Sequence, residues 1–279
     1  MRVVRHTDVA AFADVAVPLL TAAEAENILP LGICAGLRSA VPAPPPYLAI
    51  VEDGGRPVSV AMMTPPRKLV VSSAPHAALD ALCADLVDGG VPVPGVHGRA
   101  VVAETFSALW RRRTGEGASL ERGLRIYQLT SVISPRSIAG QLRQAVPADL
   151  PLVEAWGHAF VTDTGLIDEA ESIPNDVRRA VRDSQLFVWD EGTPTAMAAW
   201  TGPTPNGVRV TLVYTPSSLR GHGRASACVA ALSARLLASG RAFCFLFTDL
   251  GNPTSNRIYA KIGYEPVCDV HEYRFERHD

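Results

Sequence analysis

Val213-Tyr214-Thr215-Pro216-Ser217-Ser218-Leu219-Arg220-Gly221-His222-Gly223-Arg224-Ala225 is the stretch on which the reading of this chain turns. Just before and into it, Val208, Val210, Leu212 and Tyr214 alternate with Arg209, Thr211, Val213 and Thr215, which reads as a strand with the first four on one face. Pro216 and the two serines stop that strand. An Ala-rich segment from about Ser226 to Ala238 reads as the helix that follows. A glycine-bearing turn between a strand and a helix can cradle an anion. Gly221 and Gly223 let the backbone approach a ligand, and the N–H groups of the first helical turn have no intrahelical partner. Arg220 and Arg224 add positive charge, so a pyrophosphate suits the loop. A lone Gly-x-Gly would read as an ordinary turn, so the rest of the chain has to decide.

A second stretch lies downstream. Ala242 to Thr248 is an apolar run of buried-strand type. It leads into Asn252-Pro253-Thr254-Ser255-Asn256-Arg257-Ile258-Tyr259-Ala260-Lys261-Ile262-Gly263-Tyr264. Together the two stretches resemble the GCN5-related N-acetyltransferase (GNAT) family. The family's acetyl-CoA motif, Arg/Gln-x-x-Gly-x-Gly/Ala, is matched by Arg220, Gly223 and Ala225. Its later motif is matched by Asn252, Tyr259, Gly263 and Tyr264. One departure is the spacing from Pro216 to Arg220, a residue longer than the commonest family form.

The resemblance implies acetyl-CoA as cofactor. It implies that the strand end carrying Val213, Tyr214 and Thr215 pairs with the pantetheine arm and the thioester oxygen. The loop of Arg220, Gly221, His222, Gly223, Arg224, Ala225 and Ser226 would hold the pyrophosphate. Asn252 would contact the cofactor, and Tyr259 would donate toward its sulfur. Asn256, one turn before Tyr259, shares its helix face. The competing reading of Tyr259 is a packing role against Ile258 and Ile262.

The whole chain sets bounds on this. Its 279 residues are ample for two domains, and 47% hydrophobic with 19% charged residues is a globular composition. A net charge of -2 gives no reason to expect nucleic acid or membrane as a partner. Five cysteines, with no CxxC pair, read as free thiols of a reducing compartment. The N-terminus lacks the apolar core of a signal peptide and no run reaches membrane-spanning length, so a cytoplasmic location is expected. No metal-ligand spacing is present.

The element pattern repeats. Arg2 to Leu20 parallels Gln141 to Phe160, each half has a hairpin, and each closes on a strand, Leu124 to Val132 and Tyr273 to Glu276. The expected fold class is α/β (α+β), with two GNAT-like mixed central sheets flanked by helices in tandem. The expected domains are 1–132, without a CoA site, and 139–279, the acetyltransferase. In the first half Val70-Val71-Ser72-Ser73-Ala74-Pro75-His76 stands where the second has its glycine loop, and Trp110 falls where Tyr259 stands.

The function implied is transfer of an acetyl group from acetyl-CoA to a primary amine of a small molecule or peptide, directly in a ternary complex. Alternatives are a non-catalytic acyl-CoA-binding sensor and a two-domain acyltransferase similar to mycothiol synthase. Candidates for the acceptor side are Glu154, His158, Asp163, Glu169 and Glu171. His158 is preferred as base because it follows Trp156 and Gly157 on a segment that could line the cleft, and His222 is set aside because it lies in the phosphate loop. A homodimer is left open.

Overall fold

The computed structural model describes residues 1–39, 42–166 and 170–276. They form two compact units. The first comprises residues 1–126 and 247–252 together with the chain from Pro266, and the second comprises Tyr127–Leu246 and Pro253–Glu265.

In the first unit β1 (Arg2–Arg5) leads to α1 (Val9–Thr21) and α2 (Ile28–Ser39). Asp8 caps α1, with its carboxylate accepting from the N–H groups of Ala10 at 2.8 Å and Ala11 at 3.4 Å. α1 continues through Pro18. Between the two helices Glu24–Asn27 is a short 3-10 turn, and Pro30 sits in the first turn of α2, where a missing N–H costs no hydrogen bond. Then come β2 (Tyr47–Asp53), β3 (Arg56–Met63), β4 (Leu69–Val71), α3 (His76–Asp88), β5 (Gly95–Arg99), α4 (Ala100–Thr114) and β6 (Gly117–Leu129).

The second unit contains β7 (Gln141–Gln144), α5 (Leu150–Thr164), α6 (Ser172–Arg182), β8 (Leu186–Asp190), β9 (Pro194–Thr201), β10 (Gly207–Tyr214), α7 (Arg224–Ala238) and α8 (Pro253–Ile262). β11 (Phe243–Asp249) precedes α8, and β12 (Glu265–Glu276) follows it. α6 carries Pro174 in its first turn, and the acceptor-side candidate Glu169 lies outside the described residues.

Sheet order in the first unit is β1-β2-β3-β4-β5-β12-β6. Its fold therefore depends on the last strand of the chain: β12 runs antiparallel to β5 from Val270 opposite Arg99 to Arg274 opposite Gly95. Phe275 of β12 stacks on Trp110 of α4, with centroids 5.4 Å apart, which anchors the strand in the core. The cut expected between residues 132 and 139 follows element order along the chain, whereas the compact units place this closing strand with the first half.

The second unit begins at the C-terminal end of β6 and runs β6-β11-β10-β9-β8-β7. Its strands alternate between two apolar layers. Phe187, Trp189, Ala196 and Ala198 pack with α7 and α8, while Leu186, Val188, Met197 and Ala199 pack with α5 and α6. Burial of both faces explains the near-continuous apolar runs in these strands.

Candidate cofactor and active site

β10 departs from that alternation, and this corrects the one-face reading of Val208 to Tyr214. Val208 and Val210 pack in the layer of α7, whereas Leu212 and Tyr214 pack in the layer of α5. Leu212 has φ +51°, and the register with β9 shifts between Thr211 and Tyr214. A bulge of this kind turns every later side chain to the other face. Positive φ in a leucine is strained, and such strain clusters where a site needs a particular backbone path. The parallel pairing of β10 with β11 covers Gly207–Phe243, Val208–Cys244 and Arg209–Phe245, before the bulge.

After the bulge the strand runs into the loop. Gly221 and Gly223 have φ of +84° and +81°, and Gly223 is the residue that opens α7. A side chain at Gly221 would meet nothing within 4 Å, and one at Gly223 would meet only Ile138 at 3.7 Å. Their glycines are therefore dictated by backbone conformation and not by lack of room. The first bond of α7 is donated by Ala227 N–H to Gly223 O at 2.9 Å, so the amides of Arg224, Ala225 and Ser226 point out of the helix end without an intrahelical acceptor. Gly221, His222 and Gly223 are exposed, and Arg224, Ala225 and Ser226 are half-buried.

The two arginines are engaged within the protein. Arg224 makes a two-pronged pair with Glu191 of the β8–β9 turn, both N···O distances 2.8 Å, and donates to Leu219 O at 3.0 Å. The Glu191 carboxylate is held below its ordinary range by hydrogen bonding from Arg224. Arg220 donates from Nε to Thr215 O at 2.9 Å, pairs through Nη2 with Asp163 at the end of α5, and lies 5.6 Å from the Tyr214 ring centroid. Tyr214 donates its hydroxyl to the same Asp163 oxygen at 3.3 Å. Thr215 is buried, and its hydroxyl has no hydrogen-bond partner among the described residues. Thus the loop offers an anion mainly its backbone amides, with arginine charge already balanced by carboxylates that lie 57 and 33 residues away in sequence.

On α8, Tyr259 is 8% exposed, and its ring meets that of Tyr264 edge to face at 5.9 Å. The spacing from Tyr259 to Gly263-Tyr264 has a local cause. Tyr264 N–H donates to Tyr259 O at 3.0 Å and Gly263 N–H to Ala260 O at 3.1 Å, the paired bonds that end a helix at a left-handed residue. Gly263 supplies that residue at φ +106°, and a side chain there would strike Ser131 O at 2.9 Å. Tyr264 is fixed by a 2.8 Å hydrogen bond with Ser233 of α7. Tyr259 has no such bond, and burial raises its pKa, which keeps the phenol protonated at neutral pH. Asn256 is half-buried on α8, and Asn252 is exposed, its N–H donating to Asp249 O at 3.0 Å.

The acceptor-side candidates do not converge. Glu154 is paired with Arg178, Asp163 with Arg220, and Glu171 is exposed. His158 is exposed on α5, with no side-chain partner among the described residues to orient its ring. What the sequence did not reveal is the Glu191 and Asp163 pairing of the loop arginines and the unpartnered Thr215 hydroxyl; no local pattern signals either. No group of three or more metal-ligating side chains occurs among the described residues, and no helix there is long and apolar enough to cross a membrane.

Residues 188–275, which span the bulged strand, the loop and α8, match the family model described as FR47-like protein. Solved structures are similar over nearly the whole chain. A GCN5-related N-acetyltransferase from Sphaerobacter thermophilus is 17% identical with a TM-score of 0.64, covering 98% of this chain and 95% of that one. An acetyltransferase of the GNAT family from Colwellia psychrerythraea is 14% identical with a TM-score of 0.59, over 100% of both chains. The chain has the GNAT fold. A tandem GNAT protein from the clavulanic acid biosynthesis pathway is likewise similar, 14% identical with a TM-score of 0.61 over 100% of this chain and 99% of that one. No curated protein matches the chain in sequence. Within this GNAT-fold chain the loop before α7 carries two left-handed glycines, whereas no described residue between Gly55 and Gly90, the stretch that leads into α3, has positive φ.

Proposed function

We propose that this chain is an N-acetyltransferase that moves the acetyl group of acetyl-CoA to a primary amine, directly and without an acyl-enzyme, at a site in the second unit. The observation that carries the proposal is Tyr259: a buried residue of α8 whose ring is held against Tyr264 and whose hydroxyl has no partner among the described residues. A core tyrosine with only a packing role ordinarily finds a partner for its hydroxyl, as Tyr264 does with Ser233.

The residues present fit the cofactor. The amides of Gly221 to Ser226 would receive the pyrophosphate, and the strand end at Val213 to Thr215 would run beside the pantetheine arm. The cofactor supplies an activated thioester. The protein's share is to hold that carbonyl against the acceptor nitrogen and to donate from Tyr259 to the sulfur as the carbon–sulfur bond breaks and the carbon–nitrogen bond forms, the proton that the nitrogen sheds passing through solvent to restore the phenol. A phenol whose pKa burial raises remains protonated for that donation. His158 is given no part, since no side chain among the described residues orients it.

The test is release of CoA thiol from acetyl-CoA over a panel of small amines, amino acids and peptide N-termini, with calorimetry of CoA binding on the same protein. Amine-dependent release supports the proposal. Binding without turnover on any amine class would replace it with an acyl-CoA-binding sensor.

A further inference from the structure

The two arginine pairs of the loop differ in strength. Arg224 grips Glu191 with both prongs, and the pair is only 18% and 20% exposed. Arg220 reaches a single oxygen of Asp163, and that pair is 50% and 36% exposed. An exposed one-point pair contributes little and is easily exchanged, whereas a two-pronged, half-buried pair is held by geometry as well as charge. The same Asp163 oxygen also accepts from Tyr214, so it keeps a donor if Arg220 leaves. Beside Arg220's other anchor, the Thr215 carbonyl, lies a hydroxyl more than nine-tenths buried without a partner. The arrangement around Arg220 is thus one in which a polar group is left unsatisfied, which native proteins rarely retain without a use.

We infer that Asp163 is a displaceable counter-ion, a positioning residue that parks Arg220 beside the loop and yields it to a diphosphate bound there. The inference rests on the proposed acetyl-CoA site. Arg224, by contrast, is a fixed strut between Glu191 and Leu219 O. Asp163 competes with the ligand for one guanidinium, so every diphosphate bound must first break a carboxylate pair. Removing the carboxylate removes the competitor while leaving Arg220 in place through its bond to Thr215 O. The signs are opposite for the two acids. Loss of the Asp163 charge tightens binding, and loss of the Glu191 charge loosens it by freeing the strut.

The experiment is calorimetric titration of the full chain with CoA, for wild type, Asp163→Asn, Arg220→Gln and the double variant, each checked by thermal melting. Asp163→Asn is expected to bind CoA about two- to five-fold tighter, the range an exposed ion pair commands, and this gain is expected to vanish in the Arg220→Gln background. Unchanged or weaker binding by Asp163→Asn overturns the inference, and so does a gain that survives in the double variant, which would mark simple charge repulsion. Asp163→Ser serves the same comparison if the Asn variant does not fold. Wild-type protein that binds no CoA would remove the proposed site itself, a result distinct from wild-type binding without the Asp163 effect.

Discussion

The rings of Tyr259 and Tyr264 meet edge to face at 5.9 Å, and their hydroxyls have opposite fates. That of Tyr264 is bonded to Ser233 at 2.8 Å, and that of Tyr259 has no hydrogen-bond partner among the described residues. The pair divides structure from chemistry along one helix end. Tyr264→Phe is expected to lower stability by about 1 kcal/mol, because it strands the buried Ser233 hydroxyl. Denaturant unfolding reads this directly, and an unchanged midpoint would mean the bond contributes nothing.

Gly223→Asp is expected to abolish CoA binding while the protein still folds. The position has φ +81°, and its Cβ would sit 3.7 Å from Ile138, an ordinary contact. The conformational cost is about 1–2 kcal/mol, and aspartate tolerates the left-handed region better than most residues. The carboxylate would face the anion. Calorimetry showing unchanged affinity would remove the backbone cradle from the account.

Much of this second unit is legible in the sequence and some is not. The loop and α8 announce themselves because glycine at Gly221, Gly223 and Gly263 marks backbone conformations few other residues adopt. The bulge at Leu212 is invisible, because a leucine gives no sign of positive φ, and without it alternation assigns Leu212 and Tyr214 to the wrong layer. The carboxylates on Arg220 and Arg224 are equally hidden, since each comes from a distant element. Nor does the pattern of Glu265 to Glu276 say which sheet takes it, because a strand's alternation fixes its faces and not its neighbour.

A fragment of residues 1–132 lacks β12, and with it Val270 and Phe275 of the first unit's core. It is expected to show no cooperative thermal transition by circular dichroism, although it contains β1 to β6. A sharp transition would show that the exchanged strand is dispensable.

Acid should weaken the first unit through Glu272. Burial alone would raise this carboxyl, but the His97 hydrogen bond at 3.2 Å and the charges of His97, Lys68 and Arg122 outweigh it, and its pKa falls from 4.5 to about 2. A depressed carboxyl stabilises the fold above its unfolded pKa, and that contribution disappears as pH drops toward the folded value. Stability is therefore expected to decline between pH 4.5 and about 2, and Glu272→Gln should flatten that decline. Unfolding midpoints that fall equally steeply in both proteins would exclude Glu272 as the group.

Steady-state kinetics of Tyr259→Phe on an accepted amine test the central claim most directly. The substitution keeps the ring, its contact with Tyr264 and its burial, and removes only the free hydroxyl. A positioned acid contributes about two to four orders of magnitude, and water can partly replace it. The account predicts a kcat reduced by at least about tenfold, with CoA affinity and melting temperature nearly unchanged. Full activity in the Phe variant would contradict it and leave Tyr259 as a packing residue.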